Sequence, residues 1–279
     1  MEDGALNTDD AEIESSRAPL LDHLTELRTR LFIAVLAIVI ASAIGFAFAA
    51  RVQEFLVAPY VTANNAIAAK NNLPPPAVEM IFTQPLEQFF AQLKIALCVG
   101  IIGAFPVVAY QLYAFIAPGL YKREKAAALP FIVAAPAMFL AGAAFAYFVA
   151  IPFAMSFAMG TQISTEQIHI KLVPKVNEYL SFVITLVLAF GACFQLPVAL
   201  SLMGRAGLVS ATALRKGRRF AIVGIATFAA CFTPPDVISM TIMAVPVYLL
   251  YEISIWPVWM IGKERDKQEA ADLAAMRAR

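Results

Sequence analysis

The sequence predicts an all-α, polytopic membrane protein with six transmembrane helices, both termini in the cytoplasm and two short helices at the end. Three observations support this fold class. First, 61% of the 279 residues are hydrophobic and only 15% are charged, whereas soluble domains have about 45–50% apolar and about 25% charged residues. Second, the apolar residues form runs that match the thickness of a lipid bilayer. Third, lysine and arginine are concentrated in alternate connections between these runs.

The first two thirds of the chain are predicted to hold a tail and four spans. Residues 1–18 are polar and acidic, which predicts a disordered cytoplasmic tail, and the six-helix transmembrane domain is predicted for residues 19–262. Residues 31–50 are uncharged and long enough to cross about 30 Å of hydrocarbon as a helix. Residues 51–85 are predicted to be a long polar connection that includes a stiff proline segment. Further spans are predicted at residues 86–112, 129–150 and 179–203.

The last two spans are predicted to be short. Residues 220–233 and 237–251 would each cover about 21–22 Å as a helix, against a hydrocarbon layer of about 30 Å. Two prolines end the fifth helix, and Asp236 is placed to cap the sixth. We expect the short helices to thin the bilayer locally. Residues 263–279 are predicted to be a charged cytoplasmic tail.

The distribution of basic residues predicts the orientation of the spans. Sixteen lysine and arginine residues fall in the termini and in the connections on their side, and four fall in the connections on the other side. Because cytoplasmic connections carry the excess of positive charge, this bias places both termini in the cytoplasm and requires an even number of spans. The spans differ in length and polarity, and the sequence shows no internal repeat, which argues against an inverted-repeat transporter.

The sequence lacks motifs for several kinds of chemistry. It has no GxxxxGK[ST] phosphate-binding loop, no HExxH zinc motif and no GxSxG nucleophile elbow. Its two histidines, His23 and His169, are predicted on opposite sides of the membrane. Cys98, Cys193 and Cys231 lie far apart in apolar runs, so they are predicted to be small buried hydrophobic residues. We therefore predict no enzymatic activity, no cofactor and no metal, and the net charge of +1 gives no indication of nucleic-acid binding.

The segment before the first span has a helical pattern of apolar residues. Leu20, Leu24 and Leu27 recur at helical spacing, and Glu26 and Arg30 lie four residues apart. Two interpretations are open. Glu26 and Arg30 form an ion pair within the helix, worth about 0.3–0.5 kcal/mol. Alternatively, the helix lies at the membrane surface and presents Glu26 as a carboxylate that binds a ligand.

Several motifs, ordered along residues 19–262, carry a resemblance to a known family. They are HLxELR at residues 23–28, AP at 58–59, YQLYAFIAPGLYKRE at 110–124, FAYF at 145–148, YLSF at 179–182, TPPD at 233–236 and YEI at 251–253. With these motifs around six apolar runs, the chain resembles TatC, the multi-pass core subunit of the twin-arginine protein translocase.

The resemblance implies Sec-independent export of folded proteins across the bacterial cytoplasmic membrane. It implies that Glu26 and Glu124 bind the twin-arginine motif of signal peptides at the cytoplasmic face, together with Arg28, Phe115 and Leu120. It also implies a multimeric complex with single-span subunits similar to TatA and TatB, driven by the proton-motive force. Taken alone, the residues leave open that Glu124 is a solvated charge, that Phe115 is a packing residue and that Arg28 is a topological anchor.

Polar residues within the predicted spans are further candidates. Gln195 lies in the fourth span, at a place where many TatC proteins have glutamate, and its amide is expected to bridge helices in the bundle interior. Lys94 lies in the second span, and Glu252 lies in the sixth. These two residues are a candidate pair only if folding brings their helices together.

The resemblance also implies contacts between the partner subunits and Thr233, Asp236 and Pro59. The local pattern at residues 233–236 fits a tight turn with a helix cap equally well. As an alternative function, the chain is a secondary transporter or channel for a small solute, which predicts paired intramembrane charges and related halves. A third possibility is an assembly scaffold that does not recognise cargo.

Overall fold

The computed structural model describes residues 6–70, 79–116, 122–160, 162–164, 169–170, 173–232 and 237–277. Almost all of these residues are helical. The elements in chain order are α1 (Leu6–Ala47), α2 (Ala49–Lys70), α3 (Glu87–Ile116), α4 (Lys122–Phe145), a π-helical turn (Ala146–Ala150), α5 (Ile151–Gly160), β1 (Ile163–Ser164), β2 (His169–Ile170), α6 (Val176–Cys193), α7 (Leu196–Arg205), α8 (Ala211–Phe232) and α9 (Val237–Arg277). The two strands pair in antiparallel fashion as a small hairpin.

Five segments of the described chain are long and apolar enough to cross a membrane. They are Thr25–Ala47, Glu87–Phe115, Phe131–Gly160, Val176–Arg205 and Met240–Glu264. These segments confirm the prediction of an all-helical polytopic membrane protein. The predicted fifth span is not among them. Its helix, α8, begins with a basic half, and the apolar part at residues 220–232 covers only about 20 Å.

Two segments that the composition predicts to be irregular are helical. α1 begins at Leu6, so residues 6–18 continue the first helix and differ from the predicted disordered tail. α2 occupies most of the segment predicted as a polar connection. Leu56, Tyr60 and Ala63 recur at helical spacing in α2 and are buried. Packing of this face against neighbouring helices stabilises α2, which is why composition alone did not indicate it.

The sixth span is longer than predicted. The prediction ends it at residue 251 because the charged Glu252 follows, but α9 continues without interruption to Arg277. Glu252 is tolerated because Arg218 of α8 lies 2.7 Å away and Tyr248 donates a hydrogen bond to its carboxylate. The prediction of a short sixth helix is therefore wrong, and the predicted charged tail is helical as far as Arg277.

The third and fourth spans are each interrupted near the middle. In the third, α4 passes through the π-helical turn into α5, and the N–H of Ile151 bonds to the carbonyl of Ala146. In the fourth, α6 ends at Cys193 because Pro197 has no N–H to donate to that residue's carbonyl. The two breaks place Tyr147 and Gln195 where regular helical bonding changes.

Glycines allow pairs of helices to approach closely. A Cβ atom on Gly100 of α3 would lie 1.9 Å from Ser42 Oγ of α1, and one on Gly142 of α4 would lie 2.5 Å from the carbonyl oxygen of Phe190 in α6. Small residues at such crossings let membrane helices reach van der Waals contact. The α1–α3 and α4–α6 pairs are therefore in close contact.

The antiparallel packing of α1 on α3 defines two ends of the bundle. At one end, Leu31 of α1 and Leu112 of α3 line a common cavity. We call this the basic end, because Arg205, the last residue of α7, lies over the ring of Phe131 in the first half of α4, and residues 205–219 include five basic residues. At the other end, which we call the capped end, α2 and residues 79–87 pack against the bundle. A bridge between Ile81 and Lys175 joins this segment to the start of α6.

Candidate functional site

At the basic end, α1 presents Glu26 in an ion pair within the helix. Arg30 lies one turn after Glu26, and its Nε donates to Glu26 Oε1 at 2.9 Å. A terminal nitrogen of the same guanidinium donates to the same oxygen. The side chains of Glu26 and Arg30 are 34% and 26% exposed. The structure thus shows the ion pair that the sequence left as one of two interpretations, and it leaves the carboxylate partly exposed.

Two cavities adjoin this ion pair. One, of about 550 Å³, lies along a side of α1, and its described lining residues are Arg28, Thr29, Leu31, Phe32 and Val35. The other, of about 140 Å³, lies between α1 and α3. Its described lining residues are mostly apolar: Leu27, Arg30, Leu31, Ala34, Val108, Gln111, Leu112 and Phe115. The basic end therefore combines a partly exposed carboxylate with apolar space beside it.

The structure brings two other predicted site residues, Arg28 and Phe115, to these cavities. Glu124 is the third residue of α4, which begins shortly after α3 ends at the basic end. Its backbone therefore lies at the same end of the bundle as Glu26. The side chain of Glu124 and the whole of Leu120 lie outside the part of the chain that the structure describes. A common groove for Glu26 and Glu124 stays a prediction.

Lys94 and Glu252 do not form the candidate pair. Lys94 Nζ donates to Asn177 Oδ1 at 2.7 Å and to Ser181 Oγ at 2.9 Å, both on α6. Glu252 is held by Arg218 of α8. The reason lies in the topology, since α3 packs against α1, α4 and α6, whereas α9 packs against α7 and α8.

Gln195 bridges helices as predicted. Its Nε2 donates to the carbonyl of Ala135 in α4 at 2.9 Å. The side chain reaches α4 from the break between α6 and α7, where the chain turns before Pro197. A neutral amide in this place links two spans without requiring a counter-ion.

Pro59 is buried within α2 and leaves the carbonyl of Phe55, one turn earlier, without its helical donor. Tyr147 supplies a donor: its hydroxyl bonds to the Phe55 carbonyl at 2.7 Å, and the two rings stack with their centroids 4.2 Å apart. Tyr179 of α6 donates to the next carbonyl, that of Leu56, at 2.9 Å. Because Pro59 is buried and serves this intramolecular role, we do not extend the predicted partner contact to it.

The remaining predicted residues divide into described and undescribed ones. Thr233 and Asp236, the other predicted partner contacts, lie outside the described residues. Cys98 and Cys193 are buried, as predicted. Cys231 is exposed on α8, so the prediction of a buried residue is wrong there. Among the described residues, no group of three histidine, cysteine, aspartate or glutamate side chains is arranged to hold a metal.

Sequence reasoning missed Glu87, the first residue of α3. Its side chain is buried, and one carboxylate oxygen accepts hydrogen bonds from the backbone N–H groups of Thr83 and Gln84, at 2.7 and 3.3 Å. The other oxygen lies 3.4 Å from the backbone nitrogen of Asn177, at the start of α6. Glu87 thus binds the free N–H groups at two helix starts. The sequence offered only a weak signal, a glutamate directly before an apolar run, because Thr83 lies four residues before Glu87 and the capping-box spacing is three.

Comparisons with known proteins agree with this architecture. The chain matches the family model described as TatC, Sec-independent protein translocase protein, over residues 22–246. It is 41% identical over 258 residues to the Sec-independent protein translocase protein TatC of Magnetococcus marinus. This alignment covers 92% of this chain and 90% of the relative. It is 36% identical over 257 residues to the protein of the same name in Escherichia coli strain K12, which covers 90% of this chain and 92% of the relative.

A solved structure is also similar. A crystal structure of the twin arginine translocase receptor TatC superposes with a TM-score of 0.73 and is 38% identical in sequence. The match covers 86% of this chain and 99% of that chain.

Proposed function

Because this chain belongs to the TatC family of Sec-independent protein translocase proteins, we propose that its basic end binds the paired arginines of a signal peptide. The protein is a translocase component and a multi-pass protein of the bacterial cytoplasmic membrane. In this proposal, Glu26 and Glu124 accept hydrogen bonds from the two guanidinium groups, and the apolar cavities receive the residues beside them.

The observation that carries this proposal is the ion pair of Glu26. The carboxylate already accepts two hydrogen bonds from the guanidinium of Arg30. Its position on α1 and its partial exposure therefore suit a planar guanidinium, which binds carboxylates through a fork that lysine does not have. Phe115 and the apolar cavity lie beside the pair.

Charge-assisted hydrogen bonds of this kind contribute about 1.5–3 kcal/mol each where they are partly shielded from water. An exposed ion pair contributes only about 0–1 kcal/mol. Two guanidinium–carboxylate contacts at a membrane surface therefore supply about 3–6 kcal/mol gross, before the cost of ordering the peptide. Lysine brings a single ammonium group in place of the planar fork, so it should recover only part of this energy.

The test is a binding measurement with purified protein in detergent micelles. A fluorescent signal peptide with paired arginines is titrated against the wild type, Glu26→Gln and Glu124→Gln, and a peptide with paired lysines is titrated in parallel. Each substitution should weaken binding of the arginine peptide by about tenfold or more. The lysine peptide should bind weakly to all three proteins.

The matched control is Glu178→Gln. Glu178 is an exposed carboxylate near the start of α6, at the capped end, and pairs with Lys175 at 3.4 Å. Its substitution should leave peptide binding unchanged. If the arginine and lysine peptides bind the wild type equally, or if all three variants bind like the wild type, the recognition proposal is wrong.

We further propose six spans with both termini in the cytoplasm. The bias of basic residues supports this orientation. In this arrangement α8 is the fifth crossing in chain order, which brings the five long apolar segments to six, although its apolar part is short. The proposal is tested with single cysteines at Asn65 and Lys267, both exposed, in a chain whose own cysteines are replaced by alanine. A membrane-impermeant maleimide added to intact cells should label position 65 and not position 267.

The short apolar part of α8 also supports a role for the bilayer itself. About 20 Å of apolar helix in a layer of about 30 Å favours local thinning. We propose that this region receives single-span partner subunits similar to TatA and TatB, and that the proton-motive force drives transport, since the sequence has no nucleotide-binding loop. Adding one apolar helical turn to residues 220–232 should reduce export of a folded reporter, and unchanged export would contradict the role of thinning.

A further inference from the structure

The partner of Glu26 in the structure is itself an arginine. Arg30 Nε lies 2.9 Å from Glu26 Oε1, and a second nitrogen of the guanidinium reaches the same oxygen. Arg30 therefore offers Glu26 the chemical group that an arginine of the cargo would bring. A peptide guanidinium that approaches Glu26 meets a carboxylate whose Oε1 is already engaged.

Arg30 also connects the ion pair to the apolar cavity. The same side chain lines the cavity of about 140 Å³ between α1 and α3, together with Leu112 and Phe115. It is 26% exposed, so its guanidinium has room to move away from Glu26 towards water. A ligand that takes Oε1 of Glu26 and enters this cavity would displace Arg30 from both.

We propose that Arg30 is an internal competitor, which occupies Glu26 until an arginine of the signal peptide replaces it. This inference rests on the proposed function, because it concerns the same carboxylate. A ligand that binds only the open form of a site has its affinity reduced by the fraction of open sites. A ligand whose contact with Glu26 contributes more binding free energy than the internal pair displaces Arg30. A ligand whose contact with Glu26 contributes less binds with the internal pair still in place.

The proposal makes a counterintuitive prediction for Arg30 variants. Arg30→Gln removes the competitor and should tighten binding of the arginine peptide by about two- to fivefold, the range expected for an ion pair within a helix of this exposure. Binding of the lysine peptide, which gains less from Glu26, should tighten less. Arg30→Lys keeps the charge but loses the fork, so it should produce part of the same gain.

Two controls separate this effect from bulk charge and from the proposed function. Lys216→Gln removes one positive charge from an exposed position of α8 at the same end of the bundle, and it should change binding less than Arg30→Gln. The double variant Arg30→Gln with Glu26→Gln should lose the gain, because the gain acts through Glu26.

The outcomes are distinguishable. If Arg30→Gln and Arg30→Lys weaken binding of the arginine peptide while Glu26→Gln also weakens it, Arg30 is no competitor and the recognition proposal stands. If Lys216→Gln tightens binding as much as Arg30→Gln, charge alone explains the effect and the competitor is refuted. If Glu26→Gln changes nothing in either background, the recognition proposal itself fails.

Discussion

The two ends of the bundle use a glutamate in opposite ways. At the capped end, the buried Glu87 accepts hydrogen bonds from Thr83 and Gln84, while its second oxygen faces the first turn of α6. At the basic end, Glu26 is one-third exposed and bonds only within its own helix to Arg30, as far as the described residues show. The first carboxylate holds segments together that are 90 positions apart in the chain. The second joins two residues of the same helix, so its hydrogen bonds with Arg30 do not tie α1 to another helix.

The two ends also differ in how many polar contacts join one helix to another. Around Glu87, reciprocal amide contacts between Gln53 and Gln88 and the tyrosine contacts to α2 join several helices. At the basic end, open cavities border α1. We infer that the capped end fixes the fold and the basic end is available for ligands. Predictions on thermal stability in detergent test this division.

The largest effect on stability is expected for Glu87→Gln. The amide keeps one acceptor oxygen but turns an NH2 group towards backbone N–H donors, so the donors at one of the two helix starts lose their partner. We expect the thermal midpoint to fall by about 5–10 °C. The exposed Glu178→Gln, also near the start of α6, is the control and should shift it by about 1 °C or less. Equal midpoints for the two variants would remove the distinction between the ends.

The second-largest fall in the thermal midpoint is expected for Tyr147→Phe, because this substitution leaves the Phe55 carbonyl without a donor. We expect the thermal midpoint to fall by about 2–4 °C. Pro59→Ala restores an N–H that can donate to the same carbonyl. In the Pro59→Ala background, Tyr147→Phe should therefore cost less than it costs alone, as measured in a double-mutant cycle. Strictly additive midpoints would show that the tyrosine does not compensate for the proline.

A smaller effect is expected midway between the ends, at Gln195. Gln195→Leu removes the hydrogen bond to Ala135, and such bonds between membrane helices contribute about 0.6 kcal/mol on average. The thermal midpoint should fall by about 1–2 °C. Thr185→Val, at an exposed position of the same span, is the matched control and should leave it unchanged. A fall as large as that of Glu87→Gln would mean that the fold depends on the middle of the bundle as much as on its capped end.

The smallest effect on stability is expected for Glu26→Gln, although its effect on peptide binding should be large. Losing an ion pair within one helix costs about 0.3–0.5 kcal/mol, so the midpoint should change by about 1 °C or less. Glu87→Gln protein that remains folded below its midpoint should still bind the arginine peptide. If Glu26→Gln unfolds the protein, Glu26 is a structural residue and the comparison between the ends fails.

Much of the candidate site could be predicted from the sequence because its parts are local. Glu26, Arg28 and Arg30 lie on one helix, and Glu124 and Phe115 flank one short connection. Helical spacing and the order of apolar runs are enough to place such residues at the same end of the bundle. The sequence pattern is the same for an ion pair and for a ligand-binding carboxylate at Glu26. The spacing of Glu26 and Arg30 therefore does not distinguish the two interpretations.

The parts that could not be predicted depend on distant contacts. The composition of α2 predicts a polar connection, because the contacts that stabilise this helix come from distant parts of the chain. One of them is Tyr147, which donates a hydrogen bond to the carbonyl of Phe55 in α2, 92 positions earlier. The last apolar helix, α9, extends past Glu252 because Arg218, 34 positions earlier, neutralises it. A hydropathy profile penalises every charged residue in a span equally. The free-energy cost of placing that charge in the membrane depends on whether a residue of opposite charge lies near it.

The sequence by itself determined the membrane class, the approximate places of the apolar helices, the family and the candidate residues of the proposed recognition site. These follow from composition, periodicity and short motifs, which are properties of neighbouring residues. Tertiary structure alone decided that Glu87 ties α3 to α6, that Lys94 and Glu252 have separate partners, and that α2 is a helix. The physical reason is that the partner of a buried polar group is set by helix packing, and packing brings together residues whose separation along the chain carries no signal.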